Sequence, residues 1–385
     1  MRDFQRHDTA RSTMDTKISL LSDKPVRSPV LLLTCNRPAH TARVWAALRE
    51  ARPLRLWLSQ DGPKTESAPD REKCSLVREI ISAVDWPCEV RQFYREENAG
   101  CGTVVSSAIE WFLDEAGEGI ILEDDVLPTP TFFRFCEKAL ESYRNEKDIA
   151  SISGFTCLPM RIQGALSLSD DGEPILNAYL SKYFSMWGWA TWRDRWEGYA
   201  LNPDGDLLAK FHNLIPGISK NSLQEISHRN VLSSLQSVDT WDFQFEFHSW
   251  LHGRRHLVPT SNLTRNIGFD EEATHTKHES IFSNTDVICH DCVALPPSPF
   301  HEPDLDDFCH YLRIQDSRIV DTLLEENDLL RKTCEERLEL IEFLHHEAGR
   351  LRELNDKLDI PLPSDKPATP LPSAFVNRVR RLLRF

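Results

Sequence analysis

The chain has 385 residues, enough for one large domain with a well-buried core and some appendages. Its 60 acidic residues against 45 Lys and Arg, a formal net charge of −15, exclude wholesale nucleic-acid binding. No apolar run approaches the ~20 residues that cross a bilayer, and 10 scattered cysteines fit a reduced, cytoplasmic protein rather than a disulfide scaffold. Residues 1–27 are polar, lack a signal-peptide apolar core and read as a disordered lead-in. Pro29 to Cys35 then reads as a strand, with Val30-Leu-Leu-Leu33 a continuous apolar run. Ala42 to Glu50 has helical spacing and ends at Arg52-Pro53. Leu54 to Leu58 is a second strand, stopped by Ser59-Gln-Asp-Gly-Pro63. A helix over Arg71–Val84 and a strand over Glu89–Tyr94 follow. The turn Asn98-Ala-Gly-Cys-Gly102 opens a helix over Thr103–Asp114. Next comes a short buried strand, Ile120-Ile-Leu122, which runs straight into Glu123-Asp-Asp125. Pro128 and Pro130 mark a turn after it. Strand and helix alternate throughout, which predicts an α/β fold with a mostly parallel, doubly wound, Rossmann-like sheet.

In such a sheet, ligands bind beyond the carboxyl ends of the strands. That edge gathers Thr34-Cys-Asn-Arg37, Gln60-Asp61, Arg95 with Asn98, and Glu123-Asp-Asp125. Three adjacent carboxylates repel one another unless positive charge sits among them. A hard divalent cation shared between one or two carboxylates and the phosphates of a substrate meets that need. The plain alternative is a solvated acidic turn. The edge has the position of a nucleotide site, yet it lacks both Gly-x-Gly-x-x-Gly and a Walker lysine.

Downstream, a helix is predicted from Phe132 to Asn145 and a strand from Ile149 to Gly154. An aromatic segment then runs from Tyr183 through Trp187-Gly-Trp189 to Trp192, with Trp196 beyond. Clustered tryptophans are core by default, but Trp also stacks on the apolar face of a sugar, and Gly188 leaves backbone room for a ligand. Asp239-Thr-Trp-Asp-Phe-Gln-Phe245 follows. In it, both Asp239 and Asp242 suit either a helix N-cap or a chemical role. His275, in Ala273-Thr-His-Thr276, reads as structural or as reaching a metal or diphosphate. Cys289-His-Asp-Cys292, with Cys309-His310 beyond, has spacing that fits no common zinc finger.

Taken together, Leu33-Thr-Cys-Asn-Arg37, Ser59-Gln-Asp61 and Leu122-Glu-Asp-Asp125 with Pro130-Thr-Phe-Phe133 resemble the nucleotide-sugar domain of GT-A glycosyltransferases. The pattern is most similar to the N-acetylglucosaminyltransferase I branch and its bacterial relatives. It covers Pro29 to His275 and is strongest from Gly100 to Gly154, with Trp241-Asp242 in the right order. The resemblance implies an inverting transferase that uses a UDP-sugar donor and Mn²⁺ or Mg²⁺. It implies that Arg37 and Asp61 hold the uracil, that Asp125 binds the metal bridging the diphosphate, and that Glu123 and Asp124 contact ribose and sugar. Asp242 is then the catalytic base, preferred over Asp239 because Trp241 and Phe243 would fix and desolvate it. His275 is a further candidate metal ligand. This chain departs from the branch in lacking a membrane-anchor helix, in carrying Asn36 where the branch has an acid, and in its C-terminal third. Donor sugar and acceptor therefore do not carry over. The alternatives are a sugar-nucleotide pyrophosphorylase, which should carry a glycine-rich basic loop after its first strand, and a non-catalytic sugar-binding scaffold.

The expected organisation is a transferase domain over 28–315, a helical segment over 316–359, a Pro-rich linker over 360–372 and a tail helix over 373–385. From Val320 to Leu358, Leu fills five of six positions of one heptad seam (Leu323, Leu330, Leu344, Leu351, Leu358) and Asn327 and Asn355 lie in the other. That pattern predicts a parallel coiled-coil homodimer, the alternative being a single helix packed on the domain. In the tail, Phe375, Val376, Val379, Leu382 and Leu383 form an apolar stripe and Arg378, Arg380, Arg381 and Arg384 are the only charges. Such a helix suits peripheral docking on the inner face of an anionic membrane, or folding back on the acidic domain. Membrane docking would make a lipid-linked or cell-surface glycan the expected acceptor.

Overall fold

The computed structural model describes residues 24–64, 67–167, 176–235 and 237–269, short stretches at 285–287, 300–301 and 306–310, and isolated positions between 282 and 350. Residues 1–23, His275, Cys289, Cys292, most of the heptad segment, the Pro-rich linker and the tail helix lie outside the described residues. Two compact units divide the chain, Met1–Asp316 and Ser317–Phe385. In the second, the described positions are helical, and Phe343 and Leu344 are 60% and 55% exposed.

The first unit is α/β. Its strands and helices run β1 (Val30–Thr34), α1 (Pro38–Ala51), β2 (Arg55–Gln60), α2 (Ala68–Ser82), β3 (Glu89–Tyr94), α3 (Cys101–Ala116), β4 (Glu118–Glu123), β5 (Val126–Pro128) and α4 (Pro130–Ser142). There follow β6 (Ile149–Ser153), α5 (Met160–Leu166), β7 (Ala178–Ser181), β8 (Trp189–Trp192), α6 (Arg193–Trp196), α7 (Gly205–Ile218), α8 (Ser222–Ser234), α9 (Asp242–Leu251), β9 (Arg255–Pro259), β10 (Thr264–Asn266) and β11 (Phe300–His301). Nine strands form one sheet in the order β11-β7-β9-β6-β8-β4-β1-β2-β3.

All five residues of β1 are buried because both faces of the sheet are covered. Val30 and Leu32 pack with Val44, Leu48 and Ile81 of α1 and α2 and with Phe132 and Phe133 of α4. Leu31 and Leu33 point the other way, onto Val105, Ile109 and Phe112 of α3 and onto Trp241 and Phe245. The two sets alternate along the strand, as a period of two requires.

The sheet is mostly parallel, as expected: β3, β2, β1 and β4 run parallel, as do β6 with β9 and β7 with β11. Within it β8 inserts antiparallel between β4 and β6, and β7 runs antiparallel to β9. Trp189–Trp192 is buried throughout, and a strand buried on both faces carries no signal of its direction. Two expectations need correcting. The helices start two to four residues earlier than their apolar spacing suggests, at Pro38, Ala68, Cys101 and Pro130 against Ala42, Arg71, Thr103 and Phe132. Pro38 and Pro130 stand inside the first turns of α1 and α4, where a fixed φ and a missing N–H suit the helix. Finally, the fold begins before residue 28. Val26 is 4% exposed, and its backbone bonds Ala51 and Leu54 at the join between α1 and β2.

The stretch after the acids is a strand rather than a bare turn. β5 pairs antiparallel with β10 through Val126↔Asn266 and Pro128↔Thr264. That pairing brings residues 267–269 over the carboxyl end of β4. The seven described cysteines in this unit are all free thiols. No helix among the described residues is long and apolar enough to cross a membrane.

Candidate active site at the strand carboxyl ends

Register sets the site. Leu33 lies opposite Glu123 and Thr34 opposite Gln60, so β1, β2 and β4 end together. Arg37, the residue before α1, reaches across this edge. It donates through Nη2 to Asp124 at 2.5 Å and through Nη1 to Asp125 at 3.0 Å. The positive charge expected among the acids is thus partly supplied by the chain itself, from the residue assigned by resemblance to uracil. Burial pulls the Arg37 guanidinium down, but the two carboxylates outweigh it and hold the arginine firmly protonated. Asp124 is 2% exposed and also accepts from the Cys35 N–H at 3.2 Å. Burial raises its carboxyl while Arg37 opposes the rise.

Glu123 differs from its neighbours. It has no hydrogen-bond or ion-pair partner among the described residues, and burial, then Asp125, push its carboxyl up to about 8, with Asp124 and Asp242 adding to the effect. Asp125 is pinned through its backbone, whose carbonyl accepts from Ile267 N–H at 2.8 Å. Gly268 lies flat against its side chain: a Cβ there would stand 2.3 Å from Oδ2.

At the neighbouring strand end, Asp61 is 5% exposed. It accepts from the backbone N–H groups of Gly62 (2.8 Å) and Ala99 (3.1 Å) and from the Asn98 amide (2.7 Å). It thereby ties the β2 end to the turn before α3. Burial raises its carboxyl against the pull of those hydrogen bonds and of Arg95 and Lys64. Lys64 escaped the sequence reading. It is exposed, yet its charge acts on Asp61, Cys35 and Cys101. Its signal was a lone lysine two residues beyond a strand-ending Asp-Gly. Asn36, in place of the branch's acid, bonds Asp70 at 2.6 Å and anchors the β1–α1 loop to α2.

From the opposite side comes α9. Asp242 occupies its first turn, is 8% exposed and accepts a hydrogen bond from the Thr240 hydroxyl. Its charge reaches Glu123, the Cys101 thiol and Tyr199. Trp241 stacks on Trp189 with centroids 5.5 Å apart and planes 19° apart, and Phe245 packs on the same group. Asp239, the other candidate, spends both carboxylate oxygens on backbone N–H groups of α3, at 2.8 and 2.9 Å. The pair is thereby separated: Asp239 caps α3, and Asp242 bonds only within its own segment, through Thr240, while its charge acts on Glu123.

The tryptophans divide as well. Trp189, Trp192, Trp196 and Trp241 are core, each 3% exposed or less. Trp187 is half-buried, with its ring 4.6 Å from Phe155 and 5.5 Å from Phe269, next to Gly268. Gly188 does not leave room for a ligand as expected. Its open side is filled by Thr264, 2.8 Å from where a Cβ would stand, and by Phe132 and Val126.

A divalent ion fits this edge only as a shared one. No group of three or more His, Cys, Asp or Glu suited to hold a metal occurs among the described residues. The Asp125 side chain is 14% exposed at the mouth and already draws a cation, Arg37. An ion at one carboxylate, completed by phosphate oxygens and water, is the form hard cations take with nucleotides. Two cavities of about 460 and 310 Å³ lie elsewhere, at the amino ends of β4 and β9, lined by Glu118 with Arg193 and by Arg255 with Asp307. Neither family models nor the sequences of curated proteins match this chain.

Proposed function

We propose that this chain is an inverting GT-A glycosyltransferase, using Mn²⁺ or Mg²⁺ to move a sugar from a UDP-sugar to a hydroxyl of a glycan or lipid-linked acceptor. The observation that carries the reading is the meeting of Arg37, Asp61 and Glu123–Asp125 at the ends of three parallel strands, with Asp242 at the head of α9 near enough for its charge to act on Glu123. That is the nucleotide position of an open α/β sheet, with a proton acceptor near it.

In this reading Asp61 takes the uracil end. Arg37, already seated on two acids, serves the charged diphosphate rather than the base. Glu123 and Asp124 meet sugar and ribose hydroxyls, and Asp125 holds the divalent ion. The ion supplies positive charge opposite the departing nucleoside diphosphate. The acceptor oxygen bonds the anomeric carbon from the face opposite the leaving group, as the bond to the β-phosphate oxygen breaks. Asp242 takes the acceptor's hydroxyl proton. The wall of Trp241, Trp189 and Phe245 shields that carboxylate from water on one side. Trp187 offers a sugar-stacking face beside Gly268 and Asp125.

Incubation with a panel of UDP-sugars and Mn²⁺ tests the reading. UDP release from at least one donor, abolished by chelator, is expected. Binding without release would instead identify a sugar-binding scaffold, and exchange of UDP-sugar with pyrophosphate would identify a pyrophosphorylase. The acidic composition beside an arginine-rich end supports reversible docking on anionic membranes. Vesicle co-sedimentation of the intact chain and of one ending at Pro372 tests that part; equal pelleting would refute it.

A further inference from the structure

α3 begins without a cap of its own. The preceding residue is Gly100, which offers no side chain to the free N–H groups of the first turn. The cap comes from Asp239, 138 positions further along the chain. One carboxylate oxygen accepts from Cys101 N–H at 2.8 Å and the other from Gly102 N–H at 2.9 Å. The two glycines make this possible. Gly100 sits at φ +84°, and a Cβ on Gly100 or Gly102 would stand 2.6 or 2.9 Å from the Asp239 oxygens.

Three residues later the same loop delivers Asp242, and each residue between is tied. The Thr240 hydroxyl donates to the Asp242 carboxylate, and the Thr240 carbonyl accepts from the Gln244 amide at 3.1 Å. The Trp241 carbonyl accepts from the Tyr199 hydroxyl at 2.9 Å. α3 itself is a 16-residue helix with eight buried residues, including Phe112 and Leu113, and so gives a fixed reference. Cys101, at its first position, stands within the fields of Glu123, Asp239 and Asp242 together.

We propose that Asp239 is a positioning residue for Asp242: by capping α3 from a distance, it fixes the segment that runs into α9 and so sets the place of Asp242 at the head of that helix. The proposal rests on reading Asp242 as the proton acceptor. A carboxylate held by two backbone N–H groups has a fixed orientation, and the two glycines exclude any side chain that would displace it. Misplacing a catalytic group by about 1 Å costs on the order of 100-fold in rate.

The test uses the full chain and two variants that attack one contact from opposite sides, Asp239→Asn and Gly100→Ala. Asparagine keeps one acceptor and loses the other, and an added methyl at position 100 meets only the Asp239 carboxylate among its nearest atoms and pushes it off the helix. Hydrogen exchange at single residues is read first, because it needs no activity. Both variants should lose protection at Cys101 and Gly102 and also from Trp241 to Phe245. Loss confined to the first turn of α3 would overturn the proposal. Steady-state kinetics come second: kcat should fall about 10- to 100-fold, with the donor KM changed less than about threefold. Wild-type kcat in a folded variant would equally overturn it. If the wild-type chain transfers no sugar from any donor, the transferase reading has failed, and the exchange result still decides whether Asp239 places Asp242.

Discussion

Arg37 donates to Asp124 at 2.5 Å and to Asp125 at 3.0 Å, and the Asp124 side chain in that bridge is 3% exposed. A carboxylate so far from water depends on its partner, because losing one member of a buried ion pair leaves the other uncompensated. Arg37→Ala should therefore destabilise the protein by about 3 kcal/mol. Adding Asp124→Asn should recover more than half of that loss in urea unfolding. Equal stability of Arg37→Ala and wild type would show that the bridge is not formed.

Asp125 is more open than Asp124, with its side chain 14% exposed, and in the proposed reading it holds the cation. Asp125→Ala should abolish transfer and metal-dependent UDP binding while leaving the unfolding midpoint within a degree or two. Titration calorimetry with UDP, with and without Mn²⁺, separates the two effects. Near-normal turnover would remove Asp125 from the metal role.

For the base, Asp242→Asn keeps shape and loses the proton acceptor. Turnover should drop by ~10²-fold or more, the usual contribution of general-base catalysis, while donor binding persists. A silent Asp242→Asn beside an inactive Asp239→Asn would move the role to Asp239.

His248 sets an acid limit on stability. It is 4% exposed, and burial lowers its imidazole to about 4 from an ordinary 6.5, helped by the neighbouring charges of His252 and Arg254. The unfolded chain then takes up the proton before the folded one. The stability that neutral His248 contributes is complete above pH 6.5, falls as the pH drops and is gone near pH 4. The loss amounts to roughly 3 kcal/mol. Unfolding free energies measured across that window should slope upward with pH in the wild type and flatten in His248→Gln.

The second unit predicts a dimer. Phe343 and Leu344 are helical and 60% and 55% exposed, and the surrounding sequence, read as heptads, carries leucine at most positions of one seam. Light scattering should report twice the chain mass for the intact protein and the chain mass for one ending at Gln315. An unchanged association state after truncation would refute the coiled-coil dimer.

By itself, the sequence determined the β-α alternation, the buried apolar strands and the acids where β4 ends. Those signals are local: a run such as Val30–Leu33 encodes burial on both faces, and a strand that stops in Glu-Asp-Asp has to place those charges at an edge. Tertiary structure decided the rest, because the deciding partners are remote in the chain. Arg37 meets Asp125 across 88 positions, and Asp239 finds the N-terminus of α3 across 138. The choice between Asp239 and Asp242 was undecidable from spacing, since either could cap a helix. The absence of a side chain at Gly100 and Gly102 opens a distant helix end to Asp239, and the paired Asp239→Asn and Asp242→Asn substitutions test which carboxylate takes the proton. The direction of β8 was equally hidden, because Trp189–Trp192 is buried on both faces and burial reads the same either way along the sheet.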